Sequence, residues 1–275
     1  MANDKLAEIL PALALAMIVT LLTDFGLDDY YVAAMKGVIL SRCSQARLID
    51  ITHGIGPQNV LSAAYVLLGA YQEFPAGTIH LAVVDPGVGS SRRGLILRTD
   101  RYLFVGPDNG LFSLVTPELA EAFEIEPSAY LPATVSNTFH GRDIFAPVAA
   151  ALASGVKPEE LGSPVRDPKR FAALSLVTGA TIRSQIIHLD RFGNAVTGIE
   201  RRHLNSELLP SSFSLRAGPV DIRLQKRFYA EEPVVPSEPF LIWGSLNFLE
   251  ISVTNGSAVE LLNLSCGQEV TLQLD

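Results

Sequence analysis

The chain has 275 residues, 48% of them hydrophobic and 18% charged, with a formal net charge of −8. That apolar content supports a sizeable core and excludes a disordered polymer. The acidic balance excludes the basic stripe that a nucleic-acid surface needs.

The length fits one large domain or two modest ones. Residues 9–16 are apolar, but Asp4 and Glu8 stand against Lys5, so the positive n-region of a signal peptide is missing. The run is also too short to span a bilayer. Residues 1–16 are therefore read as an extension outside the fold, with no membrane association. Ile18 to Leu22 reads as the first strand and ends at Thr23-Asp24-Phe25-Gly26. Asp28 and Asp29 are placed to cap a helix whose apolar face carries Tyr31, Ala34, Met35 and Val38. Ala46 to Ile51 returns as a strand, Asn59 to Tyr71 as a helix, and Ile79 to Val84 as a buried strand rich in β-branched residues. Asp85-Pro86-Gly87 ends that strand, because proline fixes φ and glycine permits a turn. Leu95–Leu97 and Leu103–Val105 form a short hairpin. Ile144 to Ala153 reads as an alanine-rich helix, with Pro147 tolerable only in its first turn.

Strand and helix alternate through this half, which predicts a mostly parallel sheet with helices on its faces. From about Val177 the helical pattern gives way to short strand-like runs: Ile182–Leu189, Ala195–Ile199, Leu241–Ile242, Phe248–Val253 and Val270–Leu274. Ser211 to Pro239 carries no clear signal. The expected architecture is an α/β domain over residues 17–165, a linker over 166–176 and a smaller antiparallel β-barrel over 177–275.

Four polar clusters follow strands or open helices: Asp24; Asp85 with Arg92; Asp108-Asn109; and His140 with Arg142-Asp143. Sites in open α/β sheets collect at the carboxyl ends of strands, so the four could converge. Each also has a local reading: an Asx turn at Asp24, a surface pair at Asp85 and Arg92, a favoured turn at Asp108-Asn109-Gly110, and a partly buried histidine beside a local ion pair. Gly87-Val88-Gly89 lacks the Gly-Lys-Ser/Thr ending of a phosphate loop. Cys43 and Cys266 match no metal-ligand spacing and suggest a reducing, cytoplasmic setting.

Five motifs occur in order: Thr23-Asp24-Phe25-Gly26 with Met35-Lys36-Gly37, Asp85-Pro86-Gly87-Val88-Gly89, Pro107-Asp108-Asn109-Gly110, Phe139-His140-Gly141-Arg142-Asp143, and Asp190-Arg191-Phe192-Gly193-Asn194. In this the chain resembles the S-adenosyl-L-methionine hydroxide adenosyltransferase family, relatives of the bacterial fluorinase and chlorinase. The resemblance runs from Met17 to the C-terminus. It implies an α/β domain, a β-barrel domain and a homotrimer with sites between subunits. It also implies hydrolysis of S-adenosyl-L-methionine to adenosine and L-methionine without a metal or organic cofactor. Asp85, Arg92 and His140 match the family's water-activating trio. Asp24 matches the position that accepts the ribose hydroxyls, Asn194 the amide that reads adenine, and Asp190 the carboxylate for the methionine ammonium. Ser245 matches a serine near the methionine end, and Asp29 is a further pocket candidate.

Two other readings of the resemblance are a halogenase and a non-catalytic binder of adenosine or S-adenosyl-L-methionine. His140 and Gly141 stand where the halogenases have tyrosine and serine. The Asp85 carboxylate would repel a halide, and the insertion that fluorinase-like enzymes carry is absent. The chain also departs from the family pattern at Gly244-Ser245-Leu246-Asn247 and at Thr197-Gly198-Ile199, close to where methionine and adenine are expected.

Overall fold

The computed structural model describes residues 17–116, 120–204, 209–210, 212–232 and 237–274. The extension read over residues 1–16 lies outside the described residues. The chain divides into two compact units between Arg170 and Phe171.

The first unit contains β1 (Ile18–Thr23), α1 (Tyr31–Arg42), β2 (Arg47–Thr52), α2 (Val60–Ala70), β3 (Ile79–Val83), β4 (Gly94–Arg98), β5 (Leu103–Pro107), β6 (Glu121–Ile125), α3 (Ala146–Ala153) and β7 (Gly162–Val165). The sheet order is β2-β1-β3-β5-β4-β6-β7. The first four strands are mutually parallel, β4 runs against both β5 and β6, and β7 runs against β6. β6 therefore points with the parallel four, and the sheet is mostly parallel.

Strand alternation sorts the core onto two faces. Val19, Leu21, Ile79, Leu81 and Val83 pack with Met35 and Ile39 of α1 and with the alanines of α3. Leu22, Ala82, Val84, Leu95 and Phe104 pack on the other face with Ala63 and Leu67 of α2. Asn59 caps α2 by accepting from Ser62 N at 3.0 Å. Pro147 lies in the first turn of α3, the position its ring tolerates. The caps expected from Asp28 and Asp29 are not formed: the N-cap of α1 is Tyr30, with no side-chain bond to the helix, and both carboxylates are exposed one and two residues upstream. The strands β6 and β7 escape the sequence reading because they are the last two strands of the sheet, with β7 at its edge, and carry Glu121, Glu124, Gly162 and Pro164. Their strand identity comes from their neighbours, not from periodicity.

The second unit contains β8 (Ser175–Thr178), β9 (Thr181–Leu189), β10 (Ala195–Glu200), β11 (Phe213–Ala217), β12 (Val220–Ile222), β13 (Pro239–Trp243), β14 (Phe248–Val253), α4 (Ala258–Leu262) and β15 (Glu269–Leu274). The order is β12-β11-β15-β9-β10-β14-β13, with β8 added on β9. All the strand pairs are antiparallel. Leu224 and Lys226, just past β12, exchange backbone bonds with Leu241 of β13 and nearly close the barrel. Its interior is Ile182, Ile186, Leu215, Leu241, Leu249, Ile251 and Leu272, all buried. β11 and β12 occupy the stretch that the sequence left unassigned.

Candidate active site

The four parallel strands of the first unit all end in polar residues on one edge: His53 after β2, Asp24 after β1, Asp85 after β3 and Asp108-Asn109 after β5. The register Thr23–Val83 sets Asp24 and Asp85 beyond adjacent strand ends. β3 connects to β4 across the end of β5, because β5 lies between them. The tip of β5 holds both ends of this crossing loop: Asn109 Nδ2 donates to Val84 O at 2.8 Å, and Asp108 N donates to Arg93 O at 2.9 Å. The loop then doubles back. Ser90 Oγ donates to Gly87 O at 2.7 Å and accepts from Arg92 N at 3.2 Å. Gly89 has φ +77°, and a Cβ there would strike the Asn137 carbonyl. Only glycine lets this loop lie against the segment that carries His140.

Arg92 is the hub that results. Its Nε lies 2.9 and 3.0 Å from the two Asp85 oxygens, and its Nη2 also bonds Asp85 Oδ2. The same Nη2 lies 2.8 Å from His140 Nδ1. The Asp85 and Arg92 side chains are only 5% and 6% exposed, and the Arg92 guanidinium sits 5.0 Å from the Phe145 ring centroid. A guanidinium has no acceptor, so His140 Nδ1 must accept and the imidazole proton sits on Nε2. Burial and the Arg92 charge push the His140 pKa down, against the pull of Asp85 and Asp143. His140 is therefore a neutral ring that presents an N–H donor.

His140 precedes a π turn, Gly141–Phe145, that leads into α3. Gly141 is enclosed: a Cβ would meet Met35 Sδ at 3.1 Å and the Phe139 and Phe25 rings at 3.3 and 3.4 Å. Arg142 pairs with Asp143 at 2.6 Å, and Asp143 also accepts from Ser136 N at 2.9 Å. The Arg142 hydrogen bond, with that backbone bond, holds the Asp143 carboxyl below the usual range against burial. This pair fixes the turn and leaves His140 to Arg92. Arg93 faces away to Asp108 at 2.7 Å and Asp167 at 2.9 Å. Of the four clusters, the structure thus joins Asp85, Arg92 and His140 directly, and it uses Asp108-Asn109 as a brace. Asp24 is partly exposed and accepts from Gln58 N at 2.8 Å through Oδ2, which leaves Oδ1 available. Asp29 is exposed.

The second unit holds the other candidates. Asp190 Oδ1 accepts from Phe192 N at 2.9 Å and Asn194 N at 2.8 Å, and Asn194 Nδ2 donates to Asp190 Oδ2 at 2.7 Å. Asp190 thus builds the turn that presents Asn194, while Phe192 stands 79% exposed at its tip. Ser245 is exposed in the turn between β13 and β14. Two groups here escaped the sequence reading. Glu250 on β14 is buried and accepts from Tyr229 Oη at 3.1 Å. Burial, with Glu250 and Asp190 nearby, pushes the Tyr229 phenol up to about 12, and burial also raises the Glu250 carboxyl. The sequence holds one hint of Glu250, a lone charge inside the apolar run Phe248–Val253.

Both departures from the family pattern have local causes. A Cβ on Gly244 would overlap the Glu250 carboxylate, so glycine makes room for it. A Cβ on Gly198 would stand 2.7 Å from Ser184 Oγ and 2.8 Å from Leu174 O. Ser175 Oγ bonds Gly198 O at 2.5 Å, and Ser184 Oγ bonds Leu174 O at 2.8 Å. The start of β8 thus fills the space that a larger side chain here would need.

The architecture and the Asp85–Arg92–His140 trio define a two-unit protein of α/β and barrel type, with polar strand ends gathered on one sheet edge. Sequence comparison gives the family. The model of the SAM hydroxide adenosyltransferase N-terminal domain matches residues 19–162, and that of the C-terminal domain matches residues 184–271. The chain belongs to the SAM hydroxide adenosyltransferase family. It is 40% identical to an (R)-S-adenosyl-L-methionine hydrolase of Thermus thermophilus, over 91% of this chain and 97% of that one. A fluorinase of an Actinoplanes species is more distant, at 26% identity over 93% of this chain and 97% of that one. Among solved structures, an uncharacterized conserved protein from Thermotoga maritima superposes with a TM-score of 0.80 at 34% identity, covering 94% of this chain and 100% of the other.

Proposed function

We propose that this chain hydrolyses S-adenosyl-L-methionine to adenosine and L-methionine by attack of water-derived oxygen at the ribose C5′. The observation that carries this reading is the Asp85–Arg92–His140 trio, with its carboxylate and guanidinium side chains nearly buried. The new C5′–O bond forms as the C5′–S bond breaks. The sulfur keeps the electron pair and becomes the neutral thioether of methionine. One proton is released overall.

The sulfonium is already a good leaving group, so the reading invokes no metal or organic cofactor. The difficulty lies in the nucleophile, since free water has a pKa of about 15.7. Arg92 supplies a fixed positive charge in a site where little water screens it. His140 adds an N–H donor, and Asp85 holds the guanidinium in plane. This arrangement favours developing hydroxide. A base role for His140 Nδ1 would require that nitrogen to leave Arg92.

In the same reading Asp24 accepts the ribose hydroxyls and Asn194 reads adenine. Asp190 and Glu250 give the methionine ammonium a negative field, with Ser245 beside it and Asp29 at the rim. We assign the protein a homotrimeric state with sites shared between subunits, and a cytoplasmic setting. Cys43 and Cys266 are free, and no helix among the described residues is long and apolar enough to cross a membrane.

The test is to incubate purified protein with the (R) and (S) sulfonium forms of S-adenosyl-L-methionine, with and without added chloride, and to separate the products. Adenosine and methionine in equal amounts, with the (R) form preferred as in the named relatives, is the expected result. A 5′-halogenated adenosine would move the reading to the halogenase branch. No product, together with tight adenosine binding, would make the chain a binder.

A further inference from the structure

Beneath the Asp24 turn a polar chain runs from the surface to the end of β1. Lys36 Nζ donates to Asp50 Oδ2 at 2.6 Å. Asp50 Oδ1 lies 3.1 Å from His53 Nε2, a charge contact off the N–H axis. His53 Nδ1 lies 2.8 Å from Thr23 Oγ1. His53 is 5% exposed and Thr23 fully buried. Phe25 N donates to Thr23 Oγ1 at 3.2 Å, so the hydroxyl's own proton is available to His53 Nδ1. The imidazole proton then sits on Nε2, towards Asp50. Burial opposes ionisation of Asp50, but the Lys36 hydrogen bond and the nearby Lys36 and His53 groups outweigh it and hold the carboxyl below its ordinary value. The Lys36 ammonium and the Thr23 hydroxyl thus have acceptors, and the Nε2 proton faces the Asp50 carboxylate off axis. The order Thr–His–Asp resembles a nucleophilic trio, but a fully buried hydroxyl cannot reach a substrate.

The loop after β2 grips the same turn at two further points. Gly26 N donates to His53 O at 2.8 Å, and Gln58 N donates to Asp24 Oδ2 at 2.8 Å. Gln58 adopts φ +63°, a left-handed conformation that costs a non-glycine residue free energy. That cost is sustained where the Gln58 N–H meets the Asp24 carboxylate. The turn is therefore held at three points: Thr23 Oγ1 by the His53 ring, Gly26 N by the His53 carbonyl and Asp24 Oδ2 by Gln58 N.

We propose that His53 is a positioning residue for nucleoside recognition: through Thr23 and the Gly26 amide it fixes the height and rotation of the Asp24 carboxylate, without itself touching the substrate. The proposal rests on Asp24 as the acceptor of the ribose hydroxyls. One carboxylate can serve two vicinal hydroxyls only when its plane is held against them. With Oδ2 already engaged by Gln58, the remaining lone pairs are usable in one orientation only.

The test compares the affinity of adenosine with that of 2′,3′-dideoxyadenosine, which lacks both hydroxyls, by calorimetry. Thr23→Val and His53→Ala should weaken adenosine about tenfold, the scale of one lost hydrogen bond in a buried setting, and change the dideoxy compound by less than about twofold. Thr23→Ser, which keeps the hydroxyl, and His53→Asn, whose side-chain oxygen can stand in for Nδ1, should stay near the unsubstituted protein. Unchanged adenosine affinity in Thr23→Val and His53→Ala would overturn the proposal. So would an equal loss for both nucleosides, which would mark general loosening. Asp24→Ala is the separate control: if it too fails to discriminate between the nucleosides, the ribose reading of Asp24 falls, whatever His53 does.

Discussion

At the scale of single residues, the decisive feature is one guanidinium shared between a carboxylate and an imidazole. Lysine has the charge of arginine but not its planar fork, so Arg92→Lys cannot hold Asp85 and His140 together. We expect it to lower turnover by about 100-fold, the usual effect of losing an oriented donor to developing negative charge. The KM should change little. Full turnover in this variant would remove Arg92 from the chemistry. The lowered pKa of His140 makes a linked statement. His140 should stay neutral through pH 7, so kcat/KM should be flat from about pH 8 down to the ordinary imidazole value of about 6.5, and fall only below it. An acidic limb above that value would mean that the ring is not held below its ordinary value or that another group sets the profile. Gly198 and Gly244 are informative at the same scale. In the chain alone they are departures from the family pattern close to the expected methionine and adenine positions; in the fold they are spaces taken by Leu174 and by the Glu250 carboxylate.

At the scale of elements, the site depends on how β1, β3 and β5 are held in register. Thr20 Oγ1 and His80 Nδ1 join β1 to β3 inside the sheet at 2.8 Å, and His80 stacks on Phe104 of β5 with ring centroids 5.1 Å apart. Burial lowers the His80 pKa from 6.5 to about 4. In the unfolded chain this ring takes a proton below about pH 6.5, whereas the folded protein refuses it until about pH 4. Folding stability is therefore unaffected by His80 above pH 6.5 and declines as the pH falls from 6.5 towards 4, by about 3 kcal/mol in all. Urea denaturation across that window should show the decline, and the double variant Thr20→Val/His80→Phe should flatten it. A slope unchanged in the double variant would assign the acid sensitivity to other groups. The elements most legible in the sequence were those with a strong period or an internal stop, such as α2 with its Asn59 cap and β3 with its Asp85-Pro86 end. β6, β7, β11 and β12 were not legible, because short strands with polar or proline positions take their identity from the strands beside them.

At the scale of the whole molecule, the chain is two units with a candidate locus on each: the Asp85–Arg92–His140 trio with Asp24 on the first, and the Asp190–Asn194 turn with Tyr229 and Glu250 on the second. The proposed trimer makes a definite expectation. Light scattering should give three times the chain mass, and specific activity should fall on dilution once subunits separate, because each site would then lose part of its lining. A fully active monomer would contradict the shared-site reading.

The sequence by itself determined the fold class, the parallel and antiparallel halves, the family and the residue types of the trio. These are local quantities: hydrophobic period, turn chemistry and short motifs. The tertiary structure decided which polar groups meet. Nothing in the spacing of Asp85, Arg92 and His140 says that β5 lies between β3 and β4, yet that order throws the crossing loop back on itself and presses Arg92 against His140. Nor does the run Asp50-Ile51-Thr52-His53 announce that its histidine reaches Thr23 across a parallel strand pair. Hydrogen bonds between residues far apart in sequence are set by strand order and register, which the chain specifies only collectively, through the burial of both faces of the sheet.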